Sequence, residues 1–145
     1  MAKILIVDDE ENTVNLLCKV VEMIGHEPIP TYSGLEALAQ IDLELPDLIL
    51  LDLMMPELDG YETLRRIRDL PQGRFLPIVV VTASPDPNVD EKVRLAGGNK
   101  VYQKPFGVGM LSDAVETFVN RRHELQTAPL RPERAAQGPS QARTT

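Results

Sequence analysis

Short apolar runs, each ended by a charged or hydroxyl side chain, recur along the chain. Strong runs predict strands at 3–7 (KILIV), 48–51 (LILL) and 78–81 (IVVV), and weaker ones predict strands at 27–32 and 100–103. Because the strong runs are continuous rather than alternating, we expect strands that are covered on both faces, as in parallel sheets. Pro28 and Pro30 place the 27–32 strand at an edge, since proline cannot donate a ladder hydrogen bond.

Amphipathic helical patterns fill the gaps between these strands. Apolar residues spaced three and four apart predict helices at 11–24, 34–45, 61–69, 88–96 and 107–122. The alternation is therefore β-α repeated five times, which predicts a parallel sheet with helices on both faces and right-handed crossovers. A strand order of 2-1-3-4-5 puts the proline-bearing strand at an edge and matches the flavodoxin-like, doubly wound α/β sandwich.

Composition excludes several classes of protein. The chain has 145 residues, which fits one domain, and its single cysteine, Cys18, excludes a disulfide framework. No apolar stretch approaches the roughly 20 residues that span a bilayer. The N-terminus MAKILIVDDE resembles neither a signal peptide nor a transit peptide. We therefore expect a cytoplasmic protein with no membrane association.

The charge is distributed unevenly along the chain. Residues 1–120 carry 20 acidic and 10 basic residues, a net charge of −10, whereas residues 121–145 carry five Arg and two Glu, a net charge of +3. A body this acidic repels a phosphate backbone, so we expect no nucleic-acid partner. From about Gln126 the apolar pattern ends and prolines accumulate, which predicts a folded domain at 1–124 and a disordered tail at 125–145.

Polar side chains stand where the predicted strands end. Asp8 and Asp9 follow the first strand, Asp52 the third, Thr82 the fourth and Lys104 the fifth. Because parallel strands end at one edge of the sheet, these side chains are expected to converge there. Two carboxylates about 4 Å apart repel by roughly 4 kcal/mol at an effective dielectric constant of about 20, and one ammonium cannot balance three acids. Either a carboxyl is protonated or a divalent cation binds, and an all-oxygen ligand set suits Mg²⁺.

Asp52 is placed to act as a nucleophile. A carboxylate can accept a phosphoryl group as an aspartyl-phosphate, a reaction that needs in-line positioning and neutralisation of charge. Mg²⁺ and Lys104 would neutralise the phosphoryl oxygens, and Thr82 would donate a hydrogen bond to one of them. In the loop after Asp52, Pro56 and Gly60 are most simply turn residues.

Several short motifs occur together in one order along the chain. They are Asp8-Asp9, Asp52 within LILLDLMMPELDG, Thr82 within VVVTAS, and Lys104-Pro105-Phe106. Over residues 3 to about 122 they resemble the signature of response-regulator receiver domains of the chemotaxis type, which serve two-component signalling. This resemblance implies that Asp52 is the phosphoacceptor, supplied by a sensor histidine kinase, a phosphotransfer protein or a small phosphodonor.

The same resemblance assigns roles to the neighbouring residues. Asp9, Asp52 and the backbone carbonyl of Met54 would bind Mg²⁺ directly, with Asp8 acting mainly through water. Thr82 would move toward the phosphoryl group, Lys104 would pair with it, and Lys104-Pro105 would be cis. The chemistry would be self-catalysed phosphotransfer and autodephosphorylation only, with no separate substrate, so the protein is not expected to be an enzyme.

One position departs from the family pattern. The aromatic residue that usually lies three positions before the lysine is Val101 here, and Tyr102 comes after it. Adjacent strand residues point to opposite faces, so Tyr102 is not expected to replace the missing ring. The output surface implied by the resemblance is the face of the fourth helix, fifth strand and fifth helix, where a downstream protein would bind.

Three functions therefore remain open. The first is a stand-alone response regulator that signals through phosphorylation-dependent protein contact, since residues 125–145 are too few for an effector domain. The second is a receiver-like adaptor that works without phosphorylation, an alternative kept open by Val101. The third is a phosphate-ester hydrolase, but Leu53 and Met54 come after Asp52 and leave no second acid or base there.

Overall fold

The computed structural model describes residues 1–127, with side chains described for residues 1–120. The strands are β1 (Lys3–Val7), β2 (Glu27–Thr31), β3 (Leu48–Leu51), β4 (Ile78–Thr82) and β5 (Lys100–Gln103). The helices are α1 (Glu11–Met23), α2 (Gly34–Leu43), α3 (Gly60–Asp69), α4 (Val89–Ala96) and α5 (Val108–Thr127), with a 3₁₀ turn at Pro71–Gly73. All five predicted strands and all five predicted helices are confirmed.

The five strands form one parallel sheet in the order β2-β1-β3-β4-β5. The predicted order and the predicted edge position of the strand that contains Pro28 and Pro30 are both confirmed. The chain passes from β1 to β2 on one side of it, and then returns past β1 to form β3 on the other side. The switch point therefore lies between β1 and β3, and ligands of open α/β sheets bind at such a point.

The continuous apolar runs are explained by helices on both faces of the sheet. Ile4 and Ile6 of β1 pack into a cluster with α1 and α5, whereas Leu5 and Val7 pack into a second cluster with α2 and α3. A third and smaller cluster joins α4 to the sheet, and its buried members are Leu53, Val80, Val89 and Val93. The three central strands, β1, β3 and β4, thus bury both of their faces, as the absence of alternation in their sequences predicted.

Of the tail predicted at 125–145, the structure describes only the first three residues. Residues 125–127 form the last turn of α5, which extends five residues past its predicted end at 122, and residues 128–145 lie outside the described residues. Within residues 1–127, no helix combines the length and the apolar composition needed to cross a bilayer.

Arg68, at the end of α3, binds the loops at the edge of the sheet that lies opposite to the polar strand ends. Its half-buried guanidinium donates to the carbonyl oxygens of Gly97 and Gly73 at 2.8 Å each, to that of Leu76, and to Asn99 Oδ1 at 3.0 Å. Burial lowers the pKa of Arg68, and the planar fork of donors matches these four acceptors. The C-terminal end of α4 is thereby held to α3.

The Arg68 contacts predict a specific loss of stability. Arg68→Lys keeps the charge but cannot reach four acceptors, so we expect a loss of about 2 kcal/mol in the free energy of unfolding, from carbonyl groups left without a donor. Arg66→Lys is the matched control, because Arg66 is exposed and pairs only with Glu62 on its own helix; a change below about 0.5 kcal/mol is expected there. Urea unfolding of both variants checks this, and equal losses would contradict it.

Candidate functional site

The polar side chains at the strand ends converge at one edge of the sheet. Asp8 and Asp9 come after β1, Asp52 after β3, Thr82 closes β4 and Lys104 comes after β5. A cleft of about 460 Å³ lies among them, lined by Asp8, Asp9, Glu10, Asp52, Met54, Ala83 and Lys104. Thr82 is buried beneath this cleft. The structure therefore brings together every side chain that the sequence predicted for the site.

Two of the three carboxylates are buried, and they share one cation. Asp8 is 2% exposed and Asp52 6%, whereas Asp9 is exposed. Lys104 Nζ lies 2.8 Å from Asp8 Oδ2 and 3.5 Å from Asp52 Oδ2. Buried acids are rare unless they are paired, and a single ammonium pairs with both of these.

Asp8 is engaged more tightly than Asp52. One Asp8 oxygen accepts the Glu10 N–H at 2.9 Å and the other accepts Lys104 at 2.8 Å. The corresponding contacts of Asp52 are longer, since the Met54 N–H lies 3.3 Å from Oδ1 and Lys104 Nζ lies 3.5 Å from Oδ2. Asp52 also accepts a hydrogen bond from the Thr82 hydroxyl, so it differs from Asp8 in the greater length of its backbone and ammonium contacts and not in having fewer partners.

The cleft carries an excess of negative charge. Burial raises the pKa of Asp52, and the charge of Asp8 raises it further; Lys104, the Met54 N–H and the Thr82 hydroxyl lower it by less. For Lys104, burial works to lower the pKa, but the hydrogen bond to Asp8 and the charges of Asp52 and Asp8 outweigh it and raise the pKa. The ammonium is thus held charged beside a carboxylate whose negative charge is only partly balanced.

The donor set fits a divalent metal ion. Asp8, Asp9 and Asp52 each place one carboxylate oxygen so that the three atoms lie within 4.8 Å of one another. These are hard oxygen donors, the type that Mg²⁺ takes in small numbers while it keeps water in the remaining positions. A dication would balance the two charges that Lys104 leaves uncompensated. Asp9 is the exposed member, so it is open to an ion that enters from the cleft.

Gly60 has a larger role than the turn residue that the sequence predicted. It is the first residue of α3, and its N–H donates to the Leu53 carbonyl at 3.0 Å. A Cβ at this position would lie 2.4 Å from Leu53 Cα and 2.5 Å from the Asp52 carbonyl oxygen. Only a residue without a side chain lets the helix begin against the backbone of Asp52. Its position eight residues after Asp52 indicates a turn, but the close approach depends on how α3 packs.

The predicted features around β5 are confirmed. The Lys104–Pro105 peptide bond is cis. Val101 packs beside the α4 cluster, whereas Tyr102 packs against the α1 and α5 cluster on the other face of the sheet. Tyr102 therefore does not take the place of an aromatic residue at position 101. One contribution escaped sequence analysis, the Glu10 N–H that binds Asp8, because a backbone donor has no sequence signal of its own.

Comparison with known proteins gives consistent matches. A sequence model of the response regulator receiver domain matches residues 4–116. The polar-differentiation response regulator DivK of Brucella ovis is 33% identical over 116 residues, which are 80% of this chain and 94% of that protein. The crystallised chemotaxis protein CheY4 of Vibrio cholerae has 28% identity and a TM-score of 0.78, over 81% of this chain and 98% of that one.

A second solved structure bears on the metal. The receiver domain of the sensor histidine kinase PA1611 from Pseudomonas aeruginosa has 28% identity and a TM-score of 0.76, over 82% of this chain and 98% of that one. That crystal structure contains a magnesium ion coordinated in the active-site cleft.

The unbalanced charge in the cleft predicts a stability change. Asp52→Asn removes a buried charge that Asp8 repels, so in the absence of divalent ions we expect the variant to be more stable at pH 7 by about 1 kcal/mol, or roughly 4 °C in Tm. Because the pKa of Asp52 is raised on folding, the folded wild type holds this proton more tightly than the unfolded chain. The contribution of Asp52 to stability therefore falls as pH rises from the ordinary carboxyl pKa of 3.8 through the raised value, and is constant above it.

Thermal melts of both proteins in EDTA across acidic and neutral pH check this. The stability advantage of Asp52→Asn should shrink as the pH falls through the window in which the wild-type carboxyl takes up its proton. A variant that is less stable at pH 7, or whose advantage grows on acidification, would contradict the account.

Proposed function

The chain belongs to the response regulator receiver domain family, and on that premise we propose that it is a signalling switch driven by phosphorylation of Asp52. The observation that carries this proposal is the Asp52 carboxylate, which lines the cleft with the Lys104 ammonium 3.5 Å away. A carboxylate that is open to a cleft and lies next to a fixed positive charge is the arrangement that accepting a phosphoryl group requires.

The residues of the cleft have separable roles in that transfer. An Asp52 oxygen attacks the phosphorus of the donor, a new O–P bond forms, and the bond from phosphorus to the donor's leaving group breaks. Lys104 then pairs with a phosphoryl oxygen, and the Thr82 hydroxyl donates a hydrogen bond to another. Asp8 keeps the ammonium in place, because its own contact with Lys104, at 2.8 Å, is the shorter of the two.

Mg²⁺ is the proposed cofactor. Asp9, Asp52 and the Met54 carbonyl would hold it directly, whereas both oxygens of Asp8 already have protein partners, which favours contact through water. When bound, the ion would supply positive charge to the phosphoryl oxygens. The magnesium ion in the cleft of the Pseudomonas receiver domain supports this assignment.

The proposed partners are of two kinds. The phosphodonor is a sensor histidine kinase or a phosphotransfer protein, and no other substrate is turned over. The second partner is a downstream protein that receives the signal by binding the face formed by α4, β5 and α5. This face is open in the described part of the chain: Asp90 and Arg94 of α4 line a groove against β5, and Lys100 and Gln103 are exposed on β5.

Phosphorylation is tested with a small phosphodonor. Incubation of the full chain with acetyl phosphate and Mg²⁺ should add one phosphoryl group to the intact mass, and Asp52→Asn should gain none. Asp59→Asn is the matched control, because Asp59 caps α3 through its side chain and Asn is an equally good cap; it should be labelled like the wild type. An unlabelled wild type would favour the adaptor that works without phosphorylation.

Metal binding is tested without the phosphodonor. Mg²⁺ at about ten times its Kd should raise the free energy of unfolding of the wild type by about 1.4 kcal/mol through mass action. Asp9→Ala should lose this stabilisation while it keeps the fold, because Asp9 is exposed and takes no part in the Lys104 pairs. Thermal melts with and without the ion measure the difference. No shift in the wild type, or an equal shift in Asp9→Ala, would refute the assignment.

A further inference from the structure

The charges of the folded part are segregated along the chain. Residues 1–60 carry 13 acidic and two basic residues, a net charge of −11, whereas residues 61–104 carry eight basic and five acidic residues, a net charge of +3. The acidic part includes α1, β2 and α2, and the basic part includes nearly all of α3 and the whole of α4. Because the sheet order is β2-β1-β3-β4-β5, the acidic part lies toward one edge of the sheet and the basic part toward the other.

The outward face of α2 carries an apolar stripe on the acidic side. Leu35, Ala39 and Leu43 are spaced four residues apart, which places them on one face of the helix; we call these three residues the outer stripe. Leu35 is 55% exposed, Leu43 is 82% exposed, and Ala39 is also exposed. The exposed acids Glu36 and Asp42 flank the stripe. Single exposed leucines are common on proteins, but two on one stripe form a surface that suits an apolar partner.

A groove between α3 and α4 lies on the basic side. Its volume is about 400 Å³, and it is lined by Tyr61, Arg65, Lys92, Leu95 and Ala96; we call it the α3–α4 groove. Leu95, 71% exposed, gives it an apolar wall. Arg65 belongs to α3 and Lys92 to α4, so each helix places one cation beside the groove. The groove therefore combines apolar surface with positive charge, whereas the outer stripe combines apolar surface with negative charge.

The two cations of the α3–α4 groove keep donors for a further carboxylate. Arg65 Nη1 lies 3.5 Å from Glu62, and Lys92 Nζ lies 2.5 Å from Asp86. Both cationic side chains are more than half exposed, and ion pairs at such positions contribute little to stability. A guanidinium has five N–H donors and an ammonium three, so neither cation is saturated by its own acid.

The outer stripe and the α3–α4 groove lie on the same face of the sheet. Ile41 of α2, Ile67 of α3 and Ala96 of α4 pack into one cluster there. Two copies that meet through this face with two-fold symmetry make the same contact twice, since the stripe of each copy meets the groove of the other. A contact of this isologous type closes after two copies.

We propose that two copies of the chain associate through this face, with the outer stripe of each seated in the α3–α4 groove of the other. A second copy is the occupant because this chain itself supplies both halves of the match, apolar surface against apolar surface and acids against cations. Residues 1–120 of each copy carry a net charge of −10, which opposes association. Charges more than about 8 Å apart are largely screened at physiological ionic strength, so the charges that meet at the contact decide the orientation. The inference does not depend on phosphorylation of Asp52.

The test is sedimentation equilibrium of the unphosphorylated full chain from micromolar to millimolar concentration. The mass of the wild type should rise reversibly from 16.1 kDa toward twice that value. A groove variant, Arg65→Glu with Lys92→Glu, and a stripe variant, Glu36→Lys with Asp42→Lys, should each dimerise roughly tenfold or more weakly, because like charges then face each other. An equimolar mixture of the two variants should form a heterodimer, because the charges are complementary again in both contacts.

Leu43→Ser tests the apolar part of the contact without any change of charge. Leu43 is 82% exposed, so its loss leaves the core intact, and the variant should dimerise more weakly than the wild type. Lys19→Glu and Leu16→Ser are the matched controls. Both residues are exposed on α1, which packs on the other face of the sheet, and both variants should dimerise like the wild type.

Three results would overturn the proposal. The first is a wild type that stays monomeric throughout, which would leave the α3–α4 groove to an acidic partner protein. The second is wild-type dimerisation of the groove variant, the stripe variant or Leu43→Ser. The third is a mixture of the two charge variants that does not associate. Growth beyond two copies would contradict the closed arrangement. Phosphorylation of Asp52 is decided separately by labelling with acetyl phosphate, so the two proposals fail independently.

Discussion

One ammonium group shared between two buried carboxylates is the interaction on which the site depends. Asp8 and Asp52 hold oxygens within 4.8 Å of each other, a separation at which two full charges repel by on the order of 3–4 kcal/mol at an effective dielectric constant of about 20. Lys104 compensates this repulsion only in part, and its ammonium lies nearer to Asp8 than to Asp52. Asp52 is left with a longer ammonium contact than Asp8, and the negative charge of the cleft is not fully balanced.

The parallel sheet makes this arrangement possible. Its strands bring residues 8, 52, 82 and 104 to one edge although they are far apart in sequence, and three apolar clusters on the two faces of the sheet hold that edge rigid. Gly60 lets α3 begin directly against the backbone of Asp52. At the opposite edge, the Arg68 contacts fix the C-terminal end of α4, whereas its N-terminal end is held by the loop from Thr82.

Periodicity and topology could be predicted from the sequence. Continuous apolar runs such as 78–81 are typical of strands buried on both faces, and Pro28 marks an edge, which the strand order of flavodoxin-like folds satisfies. The same order brings Asp8, Asp52 and Lys104 together, and strand alternation separates Val101 from Tyr102. The features that escaped prediction depend on distances: the tighter engagement of Asp8 than of Asp52, the close approach at Gly60, and the contact of Asp86 with Lys92. Ser84 and Asp86 are ordinary polar loop residues in the sequence. Only the structure shows that their side chains accept the N–H groups of Asp86 and Asn88.

The central claim is that Asp52, the buried acid with the longer ammonium contact, is the one that accepts phosphate. Borohydride converts an aspartyl-phosphate to homoserine, so treatment of the phosphodonor-labelled full chain and then peptide mass spectrometry locate the modified residue directly. The account predicts homoserine at position 52, with Asp8 and Asp9 unchanged. Homoserine at position 8 or 9, or at none of the three while the intact protein carries a phosphoryl group, would contradict it.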